Sequence, residues 1–378
     1  MIPKELAAQA VRLYFVEKWP IGTIARHLRV HHSTVARALR ERNEPVVWLG
    51  TELGIEARLV PAEGIELERV RVKGLRRRGL SAWLMGPLQI MLAVVEALRI
   101  LRRRRPKLVL GMGGYTAGPG GLASWLLRIP LVIHEQNAVA GLTNRLLANF
   151  AREVLEAFPG SFSATIKTRV TGNPVRHDIA MLPAPELRLR GRSGPLRLLV
   201  LGGSQGAKAL NAVVGPAVAL LPEAERPEIR HQTGENTYGV AEVAYRRAGV
   251  QAHLQTFIAD MAEAYGWADL VIARSGALTV AELAAAGVGA ILVPYPAAVD
   301  DHQTRNAAYL VNAGAATLIP QDELDAERLA AELQRHIGDP GLVLKQAQLA
   351  RAQAMPDATA DIVARCLALS LARRRSNA

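Results

Sequence analysis

The sequence predicts an α/β protein with two doubly wound parallel sheets, and three features support this fold class. Short apolar runs such as Leu131–Ile133 and Leu198–Leu201 have the length and composition of strands that are buried on both faces. The runs alternate with helical patterns, which is typical of parallel sheets covered by helices. A stretch rich in proline and glycine, residues 177–195, separates the two alternating halves and is predicted to be a linker.

The composition limits the class of protein. The chain has 378 residues, of which 50% are hydrophobic, so we expect a globular protein with two full cores. The single cysteine, Cys366, excludes an intramolecular disulfide and fits a reducing compartment. The first residues are polar and lack the pattern of a signal peptide. A formal net charge of +12 indicates an anionic partner: nucleic acid, a membrane surface or a phosphorylated substrate.

Residues 1–43 differ from the rest of the chain and are predicted to form a helix-turn-helix segment. Helical apolar spacing over residues 5–17 is followed by a turn, and Ser33 can cap a second helix that ends near Arg42. The segment is basic and resembles the DNA-binding segment of insertion-sequence transposases. DNA is therefore one candidate partner, and a small basic helical bundle without a DNA function is the alternative.

Residues 44–176 are predicted to form the first α/β domain. We expect strands at residues 46–50, 67–72, 108–111, 131–137 and 153–155, and helices at 52–60, 87–101, 118–127 and 144–149. Polar residues, including His134 and Asn137, end the fourth of these strands. In open α/β sheets, the carboxyl ends of strands are where ligands bind.

Basic and large apolar residues are mixed over residues 74–84, just before the predicted long helix. The apolar stretch 83–100 is too short and too polar to span a membrane. A basic segment that contains an aromatic residue can instead lie on an anionic membrane surface. The alternative is a core helix with solvated arginines at its ends.

Residues 196–356 are predicted to form the second domain, followed by a C-terminal helix and basic tail over 357–378. We expect strands at residues 196–202, 228–232, 253–257, 270–273 and 290–294. The first strand leads into Gly202-Gly203-Ser204-Gln205-Gly206, whose glycines allow the backbone to approach a phosphate. The N–H groups of the next helix would then face the anion. A tight turn without a ligand is the alternative.

Three further clusters follow predicted strands of the second domain. Ser275 and Gly276 begin a helix whose N–H groups suit a diphosphate, and Glu282 within that helix can accept both hydroxyls of a ribose. The alternative for Glu282 is a glutamate that only favours the helix dipole. A backbone group near Ile258 can pair with a planar base. Gln303 can hold sugar hydroxyls, or it belongs to a solvated helix start.

Together these residues resemble the MurG family of glycosyltransferases. The matching stretches are Gly111–Tyr115, His134–Asn137, Gly141–Asn144, Thr171–Arg176, Gly202–Gly206 and Arg274–Glu282. The resemblance runs from about Val46 to the C-terminus and implies a GT-B fold, in which two Rossmann-like sheets face a cleft. It implies inverting, metal-independent transfer of N-acetylglucosamine from UDP-N-acetylglucosamine to lipid I, which gives lipid II. It also implies a peripheral position at the cytoplasmic face of the cell membrane, and no cofactor.

The resemblance further implies which residues line the donor site and which face the membrane. The implied donor-site residues are Asn137, Arg176, Ser204, Ile258, Ala277, Leu278, Thr279, Val280, Ala281, Glu282 and Gln303. The implied membrane-facing residues are Leu75, Leu80, Trp83 and Leu84, next to an anionic inner-membrane surface.

One departure from the family pattern concerns the start of the first domain, which is therefore expected to be incomplete. The family begins with a strand and a Gly-Gly-Thr-Gly-Gly-His loop, and no such stretch occurs here. The missing strand would lie in the middle of a sheet, and each buried backbone group left unpaired costs about 1–3 kcal/mol. The loop histidine is the family's candidate base, so the base here is unassigned. His134 is a candidate substitute, and a structural role for it is the alternative.

We therefore expect retained donor binding and weak or absent transfer. Two other functions remain open from the sequence. The first is a DNA-binding protein whose body senses a sugar nucleotide, and the second is a UDP-sugar epimerase, which shares the fold and has no need of a membrane patch.

Overall fold

The computed structural model describes residues 31–51, 56–70, 80–114, 116–203 and 207–376. These residues divide into two compact units. The first unit contains the described residues up to Pro174 and those from Pro356 onward, and the second contains residues 175–355. Most of the predicted helix-turn-helix segment, as well as Leu75 and Ser204, lies outside the described residues.

The helices and strands alternate along most of the chain. The strands are β1 (Val47–Gly50), β2 (Glu66–Arg69), β3 (Val109–Gly111), β4 (Leu131–Glu135), β5 (Glu153–Glu156), β6 (Arg169–Val170), β7 (Arg197–Leu201), β8 (Glu228–Gln232), β9 (His253–Gln255), β10 (Leu270–Ala273), β11 (Gly289–Leu292) and β12 (Ala316–Leu318). The helices are α1 (His31–Arg40), α2 (Glu56–Ala62), α3 (Leu80–Arg104), α4 (Ala117–Leu126), α5 (Leu142–Leu147), α6 (His177–Ala180), α7 (Pro185–Arg188), α8 (Lys208–Ala219), α9 (Tyr238–Ala248), α10 (Met261–Trp267), α11 (Ala277–Ala286), α12 (His302–Val311), α13 (Ala326–Gly338), α14 (Pro340–Ala352) and α15 (Ala358–Ser376).

Most predicted elements are present within a few residues, and the differences have local causes. Strands β6 and β12 were not predicted, because strands of two and three residues are too short to show a periodicity. Helix α3 begins at Leu80 and not at Pro87, where proline suggested a first helical position. Ser33 lies inside α1 and is not its cap, because the helix already begins at His31.

The described residues of the first unit form two separate parallel sheets. Strands β1 and β2 pair with each other, and β3, β4, β5 and β6 form the second sheet in that order. Among these residues no ladder joins β1 to β3. The break falls where the strand preceding α1 would pair in a right-handed doubly wound sheet.

Helices cover both sheets of the first unit and connect their cores. On α1, Val35 packs in a cluster with Val132 and Leu155 of the larger sheet, whereas Ala36 packs with residues around the smaller one. On another side, Ala97 of α3 lies in a cluster that includes residues from both β1 and β3. The C-terminal helix α15 adds Ile362, Val363 and Cys366 to the cluster of Val35. Shared helices therefore hold the two sheets in one unit.

Helix α3 is apolar on two sides. Its core side includes Ala93 and Ala97, both fully buried. Its other side carries four exposed apolar side chains: Leu88, Met91, Leu92 and Val95. Among the described residues, no helix is both long enough and apolar enough to span a membrane.

The second unit is built on one six-stranded parallel sheet with the order β12-β11-β10-β7-β8-β9. Its central strands β7, β10 and β11 are almost entirely buried. Helices α8, α9 and α13 pack against the sheet through an apolar cluster that includes Leu210, Val214 and Leu333. This is the arrangement that the near-continuous apolar runs predicted.

Residues 177–195, expected to be a linker, are held against the second unit by arginines. Arg188 donates hydrogen bonds to the carbonyl oxygens of Ala268 and Gly287, both at 2.6 Å. Arg192 Nε donates to Asp269 Oδ1 at 2.9 Å. The segment contains the short helices α6 and α7, and it belongs to the same compact unit as the second sheet.

A buried polar network connects β8 with α8 and α9. His231 is fully buried, and its Nδ1 lies 3.0 Å from the Tyr245 hydroxyl while its Nε2 lies 3.0 Å from Asn211 Oδ1. Asn211 Nδ2 in turn donates to the carbonyl oxygens of Thr233 and Thr237. Burial lowers the pKa of His231 to about 3, so the imidazole is neutral at ordinary pH.

This network predicts that the second unit loses stability in mild acid. An unfolded histidine takes up a proton near pH 6.5, whereas folded His231 does so only near pH 3, so its contribution is complete above pH 6.5 and declines as the pH falls. The expected slope is up to about 1.4 kcal/mol per pH unit. Urea unfolding between pH 5 and 6.5 should show a shallower slope for His231→Gln. His253→Gln, at an exposed position of β9, is the control and should keep the wild-type slope.

Candidate functional site

The order of strands in the second unit reverses between β7 and β10. Chain succession runs from β7 to β8 on one side, whereas β10 lies on the other side of β7. Leu201 at the end of β7 pairs with Ala273 at the end of β10. The two following turns therefore begin side by side. In open α/β sheets, such a reversal marks the place where ligands bind.

The turn after β7 requires glycine at two successive positions. A Cβ on Gly202 would lie 2.9 Å from both the Ala207 nitrogen and the Gln232 carbonyl oxygen, which are backbone atoms that cannot rotate away. Gly203 has a φ of +77°, a conformation that side chains disfavour. The chain can therefore turn tightly here, and α8 begins after residues 204–206.

The turn after β10 leads into the ten-residue helix α11. Ser275 is fully buried, and its carbonyl oxygen accepts a hydrogen bond from Asn306 Nδ2 at 3.2 Å. Its Oγ is buried and has no hydrogen-bond partner within the described part of the chain. Gly276 precedes the helix in an extended conformation. The first turn of α11, with its N–H groups and the positive end of the helix dipole, begins at this sheet edge and suits an anion.

Arg274 fixes the same turn from the opposite side. Its Nη1 donates to the carbonyl oxygens of Val293 and Pro294 at 3.1 and 3.0 Å, and its Nη2 donates to Gln321 Oε1 at 2.5 Å. Its guanidinium therefore ties the turn after β10 to the residues that follow β11. The arginine acts here as a structural clamp.

The structure brings Glu282, Arg176 and Tyr265 together on the side of α11. Glu282 is 8% exposed. The Tyr265 hydroxyl donates to Glu282 Oε2 at 3.1 Å, and Arg176 Nη2 lies 3.7 Å from Glu282 Oε1. The glutamate and the arginine were predicted site residues. The tyrosine was not, because nothing in the sequence distinguishes Tyr265 from a residue of the apolar core.

The other residues predicted to line the donor-substrate site differ in their exposure and in their contacts. Of the predicted residues of α11, Val280 is fully buried, whereas Leu278, Thr279 and Ala281 are partly exposed. Gln303 Oε1 accepts a hydrogen bond from the Tyr295 backbone N–H at 2.9 Å. Ile258 follows β9 at the edge of the sheet and is 7% exposed.

Asn137 belongs to the first unit and is held by a buried carboxylate. Glu135 Oε1 accepts hydrogen bonds from the backbone N–H and the side-chain amide of Asn137, at 2.9 and 3.2 Å. Its other oxygen accepts from the Gly141 N–H and from Asn144 Nδ2, at 3.0 and 2.8 Å. Glu135 therefore organises the loop between β4 and α5. In the sequence, this glutamate stands out only as part of the motif His134–Asn137.

His134, the candidate substitute base, is fully buried. Its Nε2 lies 2.9 Å from the Gly172 carbonyl oxygen, which makes this nitrogen the donor. Burial lowers the pKa of His134, an effect that the Gly172 carbonyl and Glu135 oppose. A base needs to reach the hydroxyl that it deprotonates. The burial of the imidazole favours the structural alternative.

Comparisons with known proteins agree with this architecture. The family model of the glycosyltransferase family 28 N-terminal domain matches residues 30–156, and that of the family 28 C-terminal domain matches residues 197–362. Neither match covers residues 1–29. The solved structure of Acinetobacter baumannii MurG is 38% identical with a TM-score of 0.79, covering 89% of this chain and 95% of that one. The fold class is GT-B, as predicted.

A more distant structure shares the fold alone. The UDP-GlcNAc 2-epimerase from Neisseria meningitidis, bound to UDP-GlcNAc, is 13% identical with a TM-score of 0.61. It covers 94% of this chain and 98% of that one. Because this likeness shows only a shared fold, it is not evidence that the chain is an epimerase.

Curated relatives are similar over most of the chain. A UDP-N-acetylglucosamine–N-acetylmuramyl-(pentapeptide) pyrophosphoryl-undecaprenol N-acetylglucosamine transferase from Alkalilimnicola ehrlichii is 57% identical over 88% of this chain and 93% of its own length. The protein of that name from Marinobacter nauticus is 55% identical over 88% of this chain and 92% of its own length. The chain therefore belongs to the MurG family of N-acetylglucosamine transferases.

Proposed function

We propose that this chain transfers N-acetylglucosamine from UDP-N-acetylglucosamine to lipid I, the undecaprenyl-pyrophosphoryl acceptor, and so forms lipid II. The observation that carries the proposal is the identity of 55–57% to transferases named for this reaction, over 88% of the chain. This identity favours transfer over an epimerase and over a DNA-binding sensor.

The donor nucleotide is proposed to bind the second unit at the reversal between β7 and β10. The diphosphate would face the turn after Gly203, including Ser204, and the first turn of α11 at Ala277–Thr279. Glu282 would accept the ribose hydroxyls. Support comes from the adjacent ends of β7 and β10 and from the side-chain contacts of Glu282 with Arg176 and Tyr265. Ile258 and Gln303 would contact the base and the sugar.

Transfer requires two kinds of assistance. The acceptor hydroxyl attacks the anomeric carbon, the bond from that carbon to the UDP oxygen breaks, and the acceptor proton passes to a base. Positioned donors stabilise the charge that develops on the departing diphosphate. A general base contributes typically 10²–10⁴-fold. The second unit can supply the donors, whereas the base is unassigned.

The N-terminal segment of this chain is proposed to limit the reaction. Residues 1–29 lie outside the matches to both family models, and the Gly-Gly-Thr-Gly-Gly-His sequence is absent from the chain. With the family's candidate base missing, donor binding is retained and the chemical step is slow.

The first test separates binding from transfer. Calorimetric titration of the full chain should detect UDP-N-acetylglucosamine binding. Transfer is measured in a radiolabelled assay with a lipid I analogue, and the reference is a variant in which Gly-Gly-Thr-Gly-Gly-His and its preceding strand are placed before α1. Turnover by the unaltered chain should be about 10²–10⁴-fold lower than turnover by this variant. Absence of donor binding would overturn the proposed donor site. Equal turnover by both proteins would overturn the role assigned to the missing loop.

The exposed side of α3 is proposed to lie on an anionic membrane surface. Four of its exposed apolar side chains, Leu88, Met91, Leu92 and Val95, follow the i, i+3, i+4, i+7 spacing of one helical face, and contiguous exposed apolar surface is typical of interaction sites. Helix α3 ends in Arg102, Arg103 and Arg104, of which Arg103 and Arg104 pair with Glu68 and Glu66 of β2, and the whole chain carries a net charge of +12. Leu80, Trp83 and Leu84 lie at the start of the same helix, and Leu75 precedes it.

Vesicle sedimentation tests this orientation. The full chain should bind vesicles that contain phosphatidylglycerol more tightly than vesicles of phosphatidylcholine alone. Met91→Glu combined with Leu92→Glu should weaken binding by about tenfold or more, since two apolar side chains lose their burial and two negative charges are added. Leu220→Glu, at an exposed apolar position of the second unit, is the matched control. If the α3 variant and the control bind alike, α3 is not the membrane-facing element.

A further inference from the structure

We propose that Tyr265 is a positioning residue, which orients the Glu282 carboxylate toward the ribose and so gives the site its preference for a ribonucleotide over a 2′-deoxyribonucleotide. The proposal rests on the proposed function, in which Glu282 binds the ribose. It assigns a role to a residue outside the motifs that match the family. It also gives a physical origin for the selectivity between ribose and 2′-deoxyribose.

Tyr265 is held rigidly. It lies on α10 and is completely buried. Among the described residues, it is the largest of the fully buried side chains. A buried phenol needs a hydrogen-bond partner, and the Tyr265 hydroxyl has one in Glu282 Oε2 at 3.1 Å. Because the ring is fixed by its burial, the hydroxyl is a fixed donor.

The carboxylate of Glu282 is approached from two directions. Tyr265 contacts Oε2, and the Arg176 guanidinium lies 3.7 Å from Oε1. The last torsion of a glutamate side chain is broad, so the carboxylate plane is set by its hydrogen bonds. A carboxylate has about four acceptor positions, so it can accept a hydrogen bond from the phenol and from ligand hydroxyls at the same time.

The hydrogen bond from Tyr265 therefore determines which way the remaining acceptor positions point. Without the phenol hydroxyl, the carboxylate rotates more freely. This lowers the affinity for a ligand that hydrogen-bonds to both carboxylate oxygens. A ribose loses more affinity than a 2′-deoxyribose, which offers one hydroxyl fewer. Sugar selectivity is consequently the property that responds to Tyr265.

The test is a thermodynamic cycle measured by calorimetry with UDP and 2′-deoxy-UDP on the full chain. Wild type should prefer UDP by about tenfold, the effect of one hydrogen bond to a charged group. Tyr265→Phe should lower the affinity for UDP about fivefold while the affinity for 2′-deoxy-UDP stays within twofold. Glu282→Ala should abolish the preference, and adding Tyr265→Phe to Glu282→Ala should cause no further loss.

Tyr245→Phe is the matched control, because it removes the hydroxyl of another buried tyrosine of the same unit, which contacts His231. It should leave the preference for UDP unchanged. Tyr265→Met is a second variant that fills the buried space without a hydroxyl, and it should reduce the preference as Tyr265→Phe does, because the carboxylate again loses its donor.

The outcomes separate the two proposals. An unchanged preference in a folded Tyr265→Phe, with a lost preference in Glu282→Ala, would overturn the role of Tyr265 and leave the donor site intact. An unchanged preference in Glu282→Ala would overturn ribose binding by Glu282 itself. If Tyr265→Phe does not fold, the Tyr265→Met result decides.

Discussion

The parallel pairing of β7 with β10 is the constraint on which the second unit depends. Because Leu201 and Ala273 are register partners, the turn at Gly202 and the turn at Ser275 start next to each other. Each turn leads into a helix, so two helix starts lie at one sheet edge. Glu282 lies along the second of these helices, where its carboxylate meets side chains from α10 and from residue 176.

The sequence predicted this edge well because it depends on local patterns. Buried parallel strands are continuous apolar runs, and glycine is required at residue 202 by backbone atoms 2.9 Å away. Tyr265 was beyond prediction, because its partner is 17 positions away and the pairing follows from how α10 packs beside α11. The same reason applies to residues 177–195, where proline and glycine suggested a linker. Arg188 and Arg192 attach this segment through carbonyl oxygens that no pattern identifies.

In the first unit, the described strands form two separate parallel sheets and not one continuous doubly wound sheet. The smaller sheet of β1 and β2 and the larger sheet of β3–β6 are joined by helices that pack on both, among them α1 and α3. Side-chain packing can therefore hold the unit together where the described backbone has no ladder. The sequence indicated the place of the break through the absent Gly-rich loop. It could not indicate that Glu135, with four N–H donors, organises the loop that carries Asn137.

The two units are expected to contribute differently to the reaction, because their sheets and buried polar groups differ. The second unit has a continuous sheet, a glycine turn and a positioned carboxylate, which are the features required to hold a nucleotide. The first unit retains the buried carboxylate of Glu135 and the exposed apolar side of α3, and its candidate base His134 is fully buried. Donor binding and catalysis are thus expected to be separable in this chain.

The most direct measurement is an amide-resolved NMR titration of the full chain with UDP. We expect the amides of Gly202 and Gly203 and those of Gly276–Thr279 to shift together, with one dissociation constant, because the diphosphate contacts both turns at once. Shifts confined to one of these turns, or located elsewhere while both remain unchanged, would contradict the claim that the paired ends of β7 and β10 form the donor site.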